Sequence, residues 1–312
     1  FGYVGGLLSL VLVYPLIRGG FAEENLLNYR FSFPVPALFF LLAALPTFLW
    51  LRERTVPQLL PEGETYLRVG FQRLKETFRE IRKFRELLKY FVCYLFYEDG
   101  INTVVLFSGI FAVQVLGFTP KDLILFFIVM QVSSALGAYG FGFVTDWIGA
   151  KRTISITLLL WLGIVVAAYG VQTKEQFYYV GLAAGLALGS NQSASRVLLG
   201  LFTPPGRNAE FFGFFALTGK LAAIAGPVVY GMISSHGGGQ RTALISIGIF
   251  FLIGLVLLQW VDENKGQEGK GTGMGLSMAH SIIEKHGGAI RAESEEGKGA
   301  AFVIDLPVKQ GD

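Results

Sequence analysis

A single cysteine, Cys93, occurs in the 312 residues of this chain. One thiol cannot close an internal disulfide, so no disulfide framework holds the fold. Histidine is nearly as scarce. His236, His280 and His286 are scattered, with no metal-ligand spacing among them, and no metal site is expected. Charge is also short: Asp, Glu, Lys and Arg make up 16% of the chain, against roughly 25% in soluble domains. No nucleic-acid partner is expected, and the sequence leaves the oligomeric state open.

What the chain has instead is apolar length. It is 52% hydrophobic, with 28 Phe and 40 Gly, and its mean hydropathy is +0.52. Glycine lets helix backbones approach each other in lipid, and large side chains face the acyl tails. Apolar stretches fall at 1–17, 33–51, 90–114, 122–146, 153–171, 177–202, 211–233 and 241–261. All but the first are about twenty residues long, enough to cross a hydrocarbon core. The fold class expected is therefore an all-α, multi-pass integral membrane protein, whose first partner is the bilayer. The stretch Gly2 to Ile17 has no basic segment ahead of it, so it does not read as a signal peptide. It reads as a truncated span, and the chain as one that begins inside a larger membrane protein.

The segment 52–89 carries ten basic residues against six Glu. The positive-inside rule makes it cytoplasmic. Alternation from there puts Lys151, Arg152 and Arg207 on the same side, and the C-terminus with them. Within that segment Leu67, Phe71, Leu74, Phe78, Ile81 and Leu88 recur at helical spacing with Lys and Arg opposite. This pattern predicts a basic amphipathic helix on the membrane surface.

Polar residues inside the spans are the functional candidates, because ionisable groups there are costly. They are Glu98, Asp99 and Asn102 with Thr103, Gln131, Asn191, Gln192 with Ser193, Arg196, and Lys220. The expectation is that they line a central cavity. Asp99 or Glu98 would take a proton or a substrate amine, and Lys220 and Arg196 would pair with a substrate carboxylate or with the acids. The bland alternative is an ion pair that only holds spans together. Glycines at 137–142, 181–189 and 226–231 favour close helix contacts. Gly226-Pro227 predicts a break in its helix, because proline lacks an amide donor.

Gly142-Phe-Val-Thr-Asp146-Trp-Ile-Gly149-Ala-Lys151-Arg152 sits at a cytoplasmic span–loop–span junction. It resembles the loop motif of the major facilitator superfamily. The stretches 97–118, 189–196 and 204–227 are similar to the C-terminal half of the subfamily that contains the autophagy-related vacuolar amino-acid effluxers. The resemblance covers about 1–264. It implies a major-facilitator-type helical bundle, incomplete at about eight transmembrane helices. It also implies a gating role for Gly142, Asp146, Gly149, Lys151 and Arg152, and secondary active transport of a small polar solute such as an amino acid, by alternating access. Proton coupling would serve, and no cofactor is implied. The domains expected are 1–51, the last two spans of an N-terminal bundle; 52–89, the linker; 90–264, a six-span C-terminal bundle; and 265–312, a small α+β tail. A bacterial inner membrane is the expected location.

The tail resembles the end of the ATP-binding domain of sensor histidine kinases over 269–307. Gly271, Gly273 and Gly275 match that family's second glycine box, where backbone amides meet phosphates at a helix start. A helix from Leu276 to Lys285 and strands at 289–294 and 300–306 should follow. The Asn-bearing helix and the Asp-x-Gly-x-Gly loop of that family are absent from the sequence, so ATP binding and enzymatic activity are not expected. The readings to weigh against a transporter are a fragment of a membrane-associated sensor kinase and a non-functional gene chimera.

Overall fold

A backbone in hydrocarbon has no water to bond, and a helix is the conformation that satisfies it within one segment. The computed structural model is correspondingly helical over its apolar stretches. It describes residues 2–17, 23–51, 65, 68–69, 84–204, 207–264, 283, 288–295, 299–305 and 307. The chain divides into two units, 1–266 and 267–312.

In the first unit the α-helices are α1 (Gly2–Ile17), α2 (Leu26–Phe31), α3 (Pro34–Trp50), α4 (Arg85–Leu116), α5 (Pro120–Ile148), α6 (Ala150–Gly170), α7 (Lys174–Phe202), α8 (Asn208–Leu221), α9 (Ala225–Ile233), α10 (Gly239–Ser246) and α11 (Gly248–Gln259). Five segments among the described residues are long and apolar enough to span: Glu23–Trp50, Arg85–Leu116, Pro120–Ile148, Ala150–Gly170 and the 52-residue Asn208–Gln259. The last holds two of the expected passes. Helix α7 has the length, but Ser190 to Ser193 and Arg196 make it more polar.

Helix α4 starts five residues before its apolar run, because Leu87, Tyr90 and Phe91 are already buried against the core. The end of the expected linker thus belongs to the bundle. Most of the expected amphipathic helix at 67–88 lies outside the described residues. Helix ends follow local chemistry. Thr119 and Asp122 form a capping box with Pro120 in the first turn, and Thr173 and Gln176 form another. Gly149 takes φ +88° between α5 and α6, a conformation that favours glycine, and turns the chain directly from one helix into the next.

The most extensive helix pair is α5 with α7. Gly181, Gly185 and Gly189 on α7 lie one helical turn apart. A Cβ at Gly185 would meet Ser133 and the Met130 carbonyl, and one at Gly189 would meet the Ser134 carbonyl. Gly137 on α5 abuts the Leu186 backbone in the same way. The helices therefore approach backbone to backbone, as the glycine spacing predicts. Gly142 is different: it lies within α5 and faces open space.

The break expected at Gly226-Pro227 falls slightly earlier. Helix α8 ends at Leu221, and α9 begins at Ala225. Proline is tolerated in a first helical turn, where amides have no intrahelical partner. Its ring would clash with the carbonyl four residues back, so the helix gives way before it.

In the second unit, β1 (Ala289–Glu295) and β2 (Gly299–Asp305) form an antiparallel hairpin, with Ala289 opposite Asp305 and Glu295 opposite Gly299. Arg291 pairs with Asp305 at 2.8 Å. The Gly288 amide donates to the Ile283 carbonyl at 2.9 Å, as where a helix ends in a glycine cap. The glycine box (Gly271, Gly273, Gly275), His280 and His286 lie outside the described residues.

Candidate functional site

The polar residues of the spans do not form one ring. The structure sorts them into three groups, all of which involve α4.

The first group surrounds Glu98, whose side chain is buried in α4. The Tyr94 hydroxyl, one turn earlier, and Arg196 of α7 both lie within electrostatic reach of it. Tyr94 stacks on Phe215 at 4.1 Å between ring centroids. Its hydroxyl lies only 3.0 Å from where a Cβ of Gly219 would sit. Helix α1 closes another side. The Tyr3 hydroxyl donates to Gln192 Oε1 at 2.8 Å, and Gly6 packs directly on the Gln131 side chain. Arg196 is exposed and carries no described ion pair, so it keeps its charge available beside Glu98. Four of the expected residues (Glu98, Gln131, Gln192 and Arg196) therefore gather with Tyr3 and Tyr94. Sequence reasoning missed both tyrosines, because an aromatic residue in a span ordinarily reads as packing. The i, i+4 spacing of Tyr94 and Glu98 is the signal that was available.

The second group splices the broken helix. Asp99 accepts from the Gly226 amide with both carboxylate oxygens, at 2.9 and 3.0 Å. Thr103 donates its hydroxyl to the Asp99 carbonyl at 2.7 Å. Asn102 donates to the Ala222 carbonyl at 3.1 Å. One turn of α4 thus satisfies the end of α8 and the start of α9. A break inside a membrane leaves backbone groups unpaired unless protein supplies partners, and the carboxylate also suits the positive end of α9. This geometry gives Asp99 a structural partner that the sequence could not show.

The third group is internal. Asn191 is fully buried and donates to Thr157 Oγ1 at 3.0 Å. It also accepts from Ser195 Oγ at 3.2 Å. Ser195 Oγ meets the Tyr97 hydroxyl at 2.8 Å, and Tyr90 donates to the Ser195 carbonyl at 2.8 Å. This chain of bonds ties α4, α6 and α7 together in the core. Asn191 therefore sits in the packing and does not face a cavity alongside Gln192.

Lys220 is expected to pair with a substrate carboxylate or with the acids. It is exposed in the last turn of α8, with no ion pair to either acid among the described residues.

The loop-motif residues divide as well. Lys151 Nζ donates to the carbonyls of Gln259 at 3.1 Å and Val261 at 2.7 Å, clamping the end of α11. Lys89 Nζ reaches the Trp260 carbonyl at 3.1 Å and Glu86 at 2.6 Å. Asp146 and Arg152 are exposed, and neither has an ion pair among the described residues. No group of side chains able to hold a metal ion occurs among the described residues. The described part of the tail is a two-stranded hairpin, and the glycine box that would meet a phosphate lies outside the described residues.

Comparison with known proteins places the chain in a family. The family model described as "Vacuole effluxer Atg22 like" matches residues 1–271. A second, for the "Histidine kinase-, DNA gyrase B-, and HSP90-like ATPase" family, matches 235–310. That match begins within the last helices of the bundle, earlier than the glycine box. An uncharacterized MFS-type transporter, YxiO, of Bacillus subtilis is 26% identical over 270 residues, covering 84% of this chain and 61% of its own. Autophagy-related protein 22-1 of Aspergillus niger is 26% identical over 288 residues, covering 85% of this chain and 46% of its own. The chain thus spans about half the length of the curated relatives it matches. The crystal structure of a bacterial homolog of the human lysosomal transporter Spinster, inward-facing and unoccupied, superposes with a TM-score of 0.53. It is 16% identical and covers 74% of this chain and 58% of that one. The shared fold is that of a major facilitator transporter.

Proposed function

The chain belongs to the vacuole effluxer Atg22-like family, and we propose that it works as part of a secondary active transporter for a small zwitterionic solute such as an amino acid. Movement is by alternating access, with two bundles rocking about a shared site. The observation that carries this reading is the first polar group. A buried carboxylate, Glu98, stands within electrostatic reach of Arg196, which has no ion pair among the described residues, with the hydroxyl and amide groups of Tyr94, Tyr3, Gln192 and Gln131 around them.

Opposite charges held close but not paired suit a ligand that carries both. Glu98 takes the substrate ammonium, and Arg196 takes the carboxylate. With Asp99 engaged by the Gly226 amide, Glu98 is also the better carrier for a coupled proton. The lock between α6 and α11 through Lys151 belongs to the gating region. The membrane is a bacterial inner membrane with the basic linker inside, in keeping with the charge of 52–89. ATP takes no part.

Equilibrium binding of radiolabelled neutral amino acids to the purified chain in detergent tests this. Glu98→Gln and Arg196→Gln should each weaken binding by about tenfold or more, roughly 1.4 kcal/mol. Binding that neither substitution changes, or a chain that binds no amino acid, would reject the site.

A further inference from the structure

Helix α9 is nine residues long and is interrupted at both ends. At its start, Ala222 to Ile224 separate it from α8. At its end, Ser234–Gly238 form a π-helical turn in which His236 and Gly237 leave helical geometry. Gly237 takes φ +90° and Gly239 takes φ +67°, left-handed conformations that glycine adopts without a steric penalty. Helix α9 is thus a short rod between two joints.

The contacts that hold the rod lie on one side, against α4. At the first joint Asp99 accepts from the Gly226 amide. One turn on, the Tyr230 ring stacks on Phe107, with centroids 3.9 Å apart. The Tyr230 hydroxyl donates to Gln240 Oε1, and Gln240 Nε2 donates to Gln114 Oε1 at 2.7 Å, so this link also returns to α4. On the other side there is room. Val229 and Ile233 border a recess of about 520 Å³, walled by Leu162 and Val166 of α6 and by Ile249 and Leu252 of α11. We propose that α9 is a hinged gate, which swings as a unit off α4 into this recess, with Asp99 and Tyr230 as its two catches. The move carries Val229 and Ile233 between apolar surroundings, and in lipid such an exchange has no hydrophobic penalty. What it uncovers is polar: Asp99 and Thr103, the face of α4 that Gly226 covers when the gate is shut. The hinge rests on this geometry alone and stands whether or not Glu98 binds an amino acid.

The test is a distance measurement on the full chain in detergent, by pulsed electron–electron double resonance between nitroxides. Labels go on Leu106→Cys of α4 and Met232→Cys of α9, both exposed positions. Cys93 is buried and takes no label. The background sequence should give one main distance. Asp99→Asn and Tyr230→Phe should each raise the ratio of a second, longer distance to the first by about tenfold, roughly 1.4 kcal/mol, and together they should make it a major population. Ile249→Trp, which fills the recess from an exposed position, should suppress that population again. Two controls separate swinging from unfolding. A Leu106→Cys and Leu136→Cys pair, between α4 and α5, should keep its distance. A Val228→Cys and Met232→Cys pair within α9 should keep its dipolar broadening. Tyr230→Phe keeps the stacked ring, so it carries the measurement even if Asp99→Asn does not fold. A single unshifted distance in the folded Tyr230→Phe and double variants overturns the gate. So does a second distance that appears only with loss of either control, or one that Ile249→Trp leaves untouched.

Discussion

Gly226 sits directly against Thr103 and Asp99. A Cβ there would press on Thr103 Oγ1 and come within 2.7 Å of Asp99 Oδ1. Gly226→Ala should therefore cost about 1–3 kcal/mol through overpacking and force the Asp99 carboxylate off the amide. Asp99→Asn keeps the shape but can present only one acceptor oxygen without charge. It should lose a share of the roughly 1.5–3 kcal/mol that a hydrogen bond to a charged group contributes. Thermal unfolding in detergent distinguishes them: Gly226→Ala should lower the midpoint at least as far as Asp99→Asn, and an unchanged midpoint in both would refute the splice. At this scale the sequence was readable only in part. Glu98, Asp99 and Arg196 stand out because charge in a span is rare. The partner of Asp99 is a backbone amide, which leaves no mark on the sequence. Tyr97, Ser195 and Thr157 were missed because each is ordinary in a membrane helix until its hydrogen bonds are seen.

Helix contacts follow from glycine spacing more directly than polar contacts follow from charge. Gly181, Gly185 and Gly189 form a seam that lets α7 touch the backbone of α5. Gly142 carries the same residue type in the loop motif, but a side chain there would meet nothing within 4 Å of its Cβ. Gly185→Val should drive α5 and α7 apart and greatly reduce the folded fraction on size-exclusion chromatography in detergent. Gly142→Ala should be neutral or stabilising by up to about 1 kcal/mol, the helix-propensity difference between the two residues. If both variants fold equally well, the seam does not hold the pair. Helix breaks were less legible than seams. Pro227 announced one, but its place at Ala222 to Ile224 depends on where a first turn can accommodate the ring and on the bonds that Asn102 and Asp99 offer. The start of α4 was also misplaced, because Arg85 to Lys89 look like linker by charge and are recruited by the burial of Leu87 and Tyr90.

For the molecule as a whole, class and family were the most legible features, since repeated apolar length constrains a chain more strongly than any motif does. The tail is the part that composition separates but does not explain. Its two strands pair fully with each other, and Phe302, Val303 and Ile304 remain exposed. An isolated hairpin is marginal in water, and a stable sheet needs a third strand or a helix against its apolar face. Residues 1–266, in contrast, contain an extensive buried core that runs through α4 to α11. Deleting 267–312 should therefore leave the unfolding midpoint and amino-acid binding of the remaining chain unchanged. The excised segment should show no cooperative thermal transition by circular dichroism, with or without Mg-ATP. A cooperative transition that ATP raises would mean that the tail completes a nucleotide fold on its own. A large fall in the midpoint of the truncated bundle would mean that the two units depend on each other for stability.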